Sequence, residues 1–323
     1  MKYISLPIEE NRNLSFYLAM EEFVARYMKE YKECFFMWQV LPSVIFGRNQ
    51  LVQNEVNVEF CKQNHIKMYR RKSGGGCVYS DMNNIMFSYI ASADSIGFTF
   101  YKYINLIVDM LRKLGIDAHG NARNDILVDN KKVSGNAFYH IPGRCIVHGT
   151  MLYDTNMKNM LGAITPNNQK LISKGVKSIR QRIALLKDYT TLDITQFKKF
   201  AKDNLCDDTF TLSINDLQTI TEIEKGYLSD DFIYGKNPKY TIVKKRYFEG
   251  VGEIQATMEI KNDIINSLNL MGDFFILCDI DSIIDNIKGR KLNYESLKNA
   301  IPDNLSHIIL NLNKNDFLNF LIN

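Results

Sequence analysis

Residues 70 to 81 read RRKSGGGCVYSD. Three consecutive glycines contribute no side-chain packing, and each costs backbone entropy on folding. What they permit is a positive φ angle and a close approach of main-chain N–H groups to an anion or a carboxylate. Arg70, Arg71 and Lys72, directly upstream, carry charge that suits phosphate, and a guanidinium can meet it with two parallel hydrogen bonds. A flexible hairpin turn between solvated charges is the alternative, but a turn needs fewer glycines, so an anion site is the favoured reading. Neither GxxxxGK followed by Ser or Thr nor a GxGxxG after a strand occurs in the chain, so the usual nucleotide loops are excluded.

Outward from the loop, Lys67 to Arg70 reads as a strand entering it, and Val58 to Asn64 as a helix before that strand. Leu14, Tyr17, Leu18, Phe23, Val24 and Tyr27 recur at helical spacing and predict an amphipathic helix over residues 13 to 31. Cys34 to Val40 and Val44 to Gly47 read as short buried strands about a turn at Pro42. After the loop come a strand at Ile85 to Ile90 and a long helix at Phe98 to Leu114. Strands follow at Ile126 to Val128, Lys132 to Tyr139 and Ile146 to Tyr153, joined by Asp129-Asn130 and Pro142-Gly143, which are hairpin-turn pairs. Thr190 to Leu205 and Ser213 to Tyr227 are helical in pattern, and YGKNPKY, residues 234 to 240, is rich in turn formers. Beyond it, Tyr247 to Ile260 reads as strands and Lys261 to Asn269 as a turn or short helix and loop. Asp279 to Ile287, Asn293 to Ala300 and Lys314 to Leu321 read as helices.

Three further segments bear on chemistry. NDILVDNKKVSGNAFYH, residues 124 to 140, sets a lysine in a strand ahead of Ser134-Gly135, although lysine pairs at hairpin tips are commonly just solvated. HGTMLYD, residues 148 to 154, opens with a histidine that by itself reads as a structural hydrogen-bonding residue. SKGVKSIRQRI, residues 173 to 183, is a cationic loop of a kind that is usually exposed.

In this order and spacing, the segments together resemble the motif series of the lipoate–protein ligases, a family related to biotin–protein ligases and octanoyltransferases. GRNQ (Gly47 to Gln50) and GDFF (Gly272 to Phe275) resemble further parts of the same family, so the resemblance spans the chain. It implies an α/β (α+β) architecture. A large mixed-sheet catalytic domain over residues 1–245, related to biotin–protein ligases and class II synthetases, precedes a small α+β accessory domain over residues 246–323. Motion between the two is expected where their interface is modest.

The implied activity joins lipoic acid to AMP at the expense of ATP, with Mg²⁺, then passes the lipoyl group to a carrier lysine. That carrier is the acyltransferase subunit of a 2-oxoacid dehydrogenase or the glycine-cleavage H protein. By the same resemblance, Lys132 is the catalytic residue, bridging the lipoyl carbonyl and the α-phosphate. Arg71, Gly76, Cys77, Val78, Tyr79, Lys132, Asp125, Ser178 and Arg182 are the implied ATP and adenylate contacts. Arg70, Ser73, Gly74, Gly75, Lys132, Ser134, Gly135, Ala137, His148 and Thr150 are the implied lipoate contacts, and Asp125 is the implied metal ligand. An ammonium between two reacting anions makes physical sense of Lys132, because it stabilises the charge that develops there.

Two other readings use the same fold: a cysteine-dependent octanoyl or lipoyl transferase, and a non-catalytic carrier-binding relative. One transferase group carries its nucleophile beyond the HGT strand, and Met151 to Thr190 contains no cysteine. Cys145 and Cys77 are expected to be small packing residues, Cys77 standing where the family usually has alanine. Ser80-Asp81 and Asn83-Asn84 replace the family's His-Asp and Gly-Asn, which bears on acyl-chain preference.

Composition is that of an ordinary globular chain of 323 residues, 46% hydrophobic and 24% charged. A net charge of +4 suits phosphate handling without demanding nucleic acid. MKYISLPIEENRN lacks the apolar core of a signal peptide, and no stretch nears the roughly 20 apolar residues of a membrane span. The six cysteines show no metal-like spacing and read as reduced thiols of a cytoplasmic protein.

Overall fold

Along Glu33–Trp38, Ile85–Ser92 and Arg144–Met151, side chains alternate between two directions and both directions are apolar, so the sheet they build is buried on both faces. The computed structural model describes residues 1–8, 10–50, 52–92, 96–121, 124–164, 182–234, 242–261 and 263–322. Ser178, most of the 173–183 loop and the turn-rich 235–240 segment lie outside the described residues.

Fourteen strands are described: β1 (Lys2–Ser5), β2 (Glu33–Trp38), β3 (Ser43–Phe46), β4 (Lys67–Arg70), β5 (Val78–Ser80), β6 (Ile85–Ser92), β7 (Ala118–Gly120), β8 (Asp125–Val128), β9 (Lys131–Ile141), β10 (Arg144–Met151), β11 (Asp208–Thr211), β12 (Ile242–Phe248), β13 (Gly252–Lys261) and β14 (Ile264–Gly272). The main sheet has eight of them in the order β11-β1-β2-β6-β10-β9-β8-β7. Only β1 pairs in parallel, with β2 and β11, so the sheet is mixed as expected.

Phe35, Phe87, Tyr89, Cys145 and Val147 point to one face, where the helices Ile96–Lys113 and Ile194–Leu205 cover them. Phe36, Trp38, Met86, Ile90 and Ile146 point to the other, against the helix Leu14–Tyr27. That helix is buried nearly all round from Leu14 to Ala25, because the helix Ile214–Leu228 packs on its far side. Two carboxylates, Glu21 and Glu22, are therefore held inside the protein.

A second sheet, β4-β3-β5, carries the glycine loop. β4 runs parallel to β3 on one side and β5 antiparallel on the other, so residues 71 to 77 must cross over the end of β3. The third sheet, β12-β13-β14, packs on a core of its own with Phe274, Phe317 and Leu321. The hairpin turns behave as their residues predict: Asp129 and Asn130 both take positive φ (49° and 57°), as does Gly143 (78°).

One expectation fails. Lys261 to Asn269 is not a turn or short helix, because Ile264–Gly272 is strand β14. Asn and Ser between Ile265, Leu268 and Leu270 blur the alternation, and a register shift at Glu259/Ile260 breaks its phase. Strand β12 begins at Ile242, earlier than the Tyr247 start read from the sequence, because its exposed run of Lys and Arg hides its strand pattern. The short strands β1, β7 and β11 had no counterpart in the sequence reading either.

Candidate active site

The glycine loop is held mainly by the side chains that precede it. Arg71 is 5% exposed and donates to the carbonyls of Ile45 (3.2 Å), Gly74 (2.6 Å) and Gly76 (2.8 Å) and to Ser73 Oγ (2.9 Å). Arg70 donates to the carbonyls of Ile233 (2.9 Å), Gly47 (3.1 Å), Arg48 (2.8 Å) and Gln50 (2.8 Å). Lys72 pairs with the buried Glu22 at 2.5 Å and lies over the Tyr227 ring. Of these three cations only Arg71 reaches the cavity described below, and its donors already serve the loop's carbonyls. Burial pulls both guanidiniums down to about 10, so each stays charged at neutral pH, and neither has a carboxylate partner among the described residues. Two uncompensated buried cations leave the loop electropositive, which suits an anion.

The glycines do not act alike. Gly75 has φ +87°, a left-handed conformation that other residues rarely take. A Cβ on Gly47 would collide with the Gly75 carbonyl, and one on Gly74 with the Phe274 carbonyl.

Below the loop lies a cavity of about 100 Å³. Arg71, Gly75, Gly76, Cys77, Val78, Lys132, Gly135, Ala137, His148 and Thr150 line it, bringing together ten of the residues singled out in the sequence. Arg70, Ser73, Gly74, Tyr79, Asp125, Ser134 and Arg182 do not line it. Tyr79 instead packs in the core of the small sheet, and burial raises its phenol well above the ordinary range. Arg182 is exposed, but its carbonyl accepts the Lys132 N–H at 2.8 Å, so it is tied to the same strand.

Lys132 owes its direction to an irregularity. In the β8–β9 pairing Asp125 faces Gly135 and Ile126 faces Ser134, but Leu127 faces Lys132, leaving Val133 as a bulge. Residues 132 and 135 have opposite parity in a regular strand; the bulge brings them to one side. A Cβ on Gly135 would lie 2.6 Å from Lys132 Nζ, so the glycine clears the path of the ammonium. Nζ stands 2.7 Å from Asp125 Oδ1, with the two side chains 39% and 22% exposed. Asn121 orients that carboxylate, donating to Oδ2 at 3.2 Å while its own oxygen accepts the N–H groups of Asn124 and Asp125.

His148 is set by the alternation of β10, which turns it with Ile146 toward the helix Leu14–Tyr27. Its Nδ1 meets Glu21 Oε2 at 2.8 Å, and its Nε2 meets Ser73 Oγ at 2.6 Å. Since a carboxylate can only accept, the network places a proton on Nδ1, which donates to Glu21. Ser88 Oγ donates to Glu21 Oε1 (2.6 Å) and Trp38 Nε1 donates to Ser88 (2.9 Å). A continuous buried chain thus runs from Arg71 in the loop to Trp38 in the cavity wall, and its members satisfy one another.

Neither cysteine near the site has the character of a nucleophile. Burial pushes the Cys77 thiol far up and Cys145 to about 12, so both are protonated thiols. Sequence reasoning missed Leu18, Trp38, Ile45, Met86, Asn124, Asn136, Gly149 and Phe275, all of which line the cavity. Glu21 could have been noticed as half of a carboxylate pair in an otherwise apolar helix. Phe275 carries no such signal, because only the tertiary fold brings it here.

Comparison with known proteins identifies the family. The family model described as the lipoyl protein ligase A/B catalytic domain matches residues 13–205, and that of the bacterial lipoate protein ligase C-terminus matches residues 237–321. The lipoate-protein ligase LplJ of Bacillus subtilis (strain 168) is 32% identical over 94% of this chain and 95% of its own. Lipoate–protein ligase 1 of Staphylococcus aureus is 31% identical over 99% of this chain and 100% of its own. Among solved structures, the bipartite lipoate protein ligase of Thermoplasma acidophilum, studied with its E2 lipoyl domain, aligns with a TM-score of 0.66 at 25% identity, over 75% of this chain and 98% of that one. LipL1 of P. falciparum, solved in complex with lipoate, shares the fold over 100% of this chain and 98% of its own, with a TM-score of 0.75 at 21% identity. The chain belongs to the lipoate–protein ligase family.

Proposed function

We propose that this protein activates lipoic acid with ATP to lipoyl-AMP and transfers the lipoyl group to a lysine of a lipoyl-carrier domain. The observation that supports the reading best is Lys132, a partly exposed ammonium at the cavity whose one ion-pair partner among the described residues is the less exposed Asp125. In the first step a lipoate carboxylate oxygen bonds to the α-phosphorus and the bond to the bridging oxygen breaks, so pyrophosphate leaves with the electron pair. Lys132 exchanges Asp125 for the two reacting anions and lowers their repulsion. The electropositive glycine loop, braced by Arg71, offers backbone N–H groups to the adenylate. Ala137, His148 and Thr150 face the acyl portion, while Arg70, Ser73 and Ser134 support the walls.

Mg²⁺ enters as part of the ATP substrate, its shell supplied mainly by phosphate oxygens. Among the described residues no group of three His, Cys, Asp or Glu could hold a metal; Asp125 is the proposed single protein contact, freed as Lys132 moves. In the second step the carrier amine attacks the mixed anhydride, an amide forms and AMP leaves. No enzyme thiolate is required, in keeping with the protonated Cys77 and Cys145.

The carrier is a lipoyl domain of a 2-oxoacid dehydrogenase acyltransferase or the glycine-cleavage H protein; the Thermoplasma relative was studied with an E2 lipoyl domain. Among the described residues no helix is long and apolar enough to cross a membrane, and the six cysteines are free, which supports a cytoplasmic setting. The two-unit division near residue 245 belongs to the same proposal. Incubation with lipoate and Mg-ATP should release pyrophosphate, and adding carrier should release AMP. Transfer from an acylated carrier without pyrophosphate release would instead identify a thioester-forming transferase.

A further inference from the structure

Phe274 and Phe275 are neighbours in sequence but sit in different cores. Phe274 belongs to the core of the C-terminal sheet, whereas Phe275, 1% exposed, belongs to the main core and stacks on Phe138 at 5.8 Å and 14°. Phe275 also lines the cavity beside Lys132 and His148. The segment carrying it is fastened to the loops on the other side: Gly75 N–H donates to the Phe274 carbonyl (3.2 Å) and Gly272 N–H to the Asn49 carbonyl (3.0 Å). Gly74 has no room for a side chain because of the Phe274 carbonyl, and a Cβ on Gly75 would lie 3.1 Å from the Phe275 ring. Two of the three glycines are therefore fitted to this segment. One of the N–H groups the loop could offer an anion is already spent on it.

The volume decides what this means. Pockets that hold small ligands measure roughly 300 to 1,000 Å³, and the space left here is about 100 Å³. An eight-carbon acid with its adenylate needs more room, and the strands of the sheet cannot part to supply it. Phe275 is the lining ring that comes from the C-terminal unit. It follows Gly272, whose φ of +143° and close approach to the Glu253 carbonyl only glycine allows, so the chain turns there out of β14 and toward the cavity.

We propose that Phe275 is a specificity-determining gate, a side chain from the C-terminal unit that fills part of the acid-binding cavity and withdraws to admit the acyl chain. The proposal rests on the function given above. Binding then carries the cost of displacing the ring, so the apparent affinity is the intrinsic affinity reduced by the fraction of molecules with the gate open. Bulky acids bear more of that cost than short ones.

Trp38 is the chain's one tryptophan and lines the same cavity, so its fluorescence reports on the site. In the full-length protein, Phe275→Ala should raise acrylamide quenching of Trp38 and tighten lipoic acid binding by about tenfold, with a smaller gain for butyric acid. Phe275→Leu, which keeps most of the packing, should move both quantities the same way by less, and it decides the matter where the alanine variant is unfolded. Weaker or unchanged lipoic acid affinity in a folded variant would overturn the gate and make Phe275 an ordinary wall. Unchanged quenching in both variants would overturn it equally. Should quenching rise while neither wild type nor variant binds any acid, Phe275 still screens the Trp38 cavity, but the lipoate reading falls and the gate's role in selecting acids falls with it.

Discussion

Arg71 and Lys132 stand at the same cavity, yet they are opposite kinds of cation. Arg71 is 5% exposed and spreads its guanidinium over three carbonyls and a hydroxyl of its own neighbourhood. Lys132 has a side chain 39% exposed and, among the described residues, a single carboxylate partner at 2.7 Å. The first cation is architecture, since exchanging its partners would strand buried carbonyls. The second can change partners cheaply, because a half-exposed ion pair is worth at most about 1 kcal/mol. A reactive anion needs a cation that can leave what it holds. In the proposed reaction the glycine loop shapes the site, and the β9 hairpin supplies the charge that changes partners.

The widest gap between the two should appear on removing each side chain. Lys132→Ala is expected to lower adenylate formation by about a thousandfold, on the order of 4 kcal/mol of lost charge stabilisation. Its unfolding midpoint should stay near that of the wild type, and pyrophosphate release with a urea melt measures both. Activity within tenfold of wild type would remove Lys132 from the chemistry. Arg71→Ala reverses the pattern: about 3 kcal/mol of stability should be lost, because the Ile45, Gly74 and Gly76 carbonyls lose a buried donor. A normal melt for that variant would show that the loop does not depend on the brace.

The glycines sharpen the contrast at smaller amplitude. In Gly135→Ala the new methyl meets only the flexible end of Lys132, 2.6 Å away, so the ammonium is displaced while the strand survives. Adenylation should fall by about tenfold, or roughly 1.4 kcal/mol, with little change in stability. In Gly47→Ala the methyl meets the Gly75 carbonyl, which cannot swing aside, so stability should fall. Equal effects of the two on the melt would contradict the division between a rigid loop and a mobile hairpin end.

How much of this was legible in the sequence follows from where the information lies. The order of the motifs places the loop, the Lys132 hairpin and the HGT strand in one family pattern, and helix periodicity places the elements beneath them. Lys132 and Gly135 could not be set side by side from parity, since they share a side only through the bulge at Val133. Glu21 and Trp38 are distant in sequence from the loop and join it through Ser88 and His148. Phe275 looks like any core phenylalanine until the fold delivers it to the cavity. For the arginines the sequence leaves the role open for a physical reason: charge beside a glycine loop suits a phosphate equally whether it touches the ligand or only holds the loop.

Cys77 provides the smallest expected effect and tests the other side of the comparison. It lies in the loop and lines the cavity, so position alone would admit it as an acyl carrier. Its surroundings argue against that. Burial is the largest influence on the thiol, with the nearby carboxylate of Glu55 acting in the same direction, and Arg71 offsets them only in part. A thiol held protonated is a poor nucleophile, and an anhydride needs none. Cys77→Ala restores the residue usual in the family and removes one sulfur from the wall. Both adenylation and transfer to carrier should remain within about twofold of wild type, below 0.5 kcal/mol. Pyrophosphate release preserved while transfer collapses would show that the loop enters the chemistry after all, through a thioester formed at Cys77.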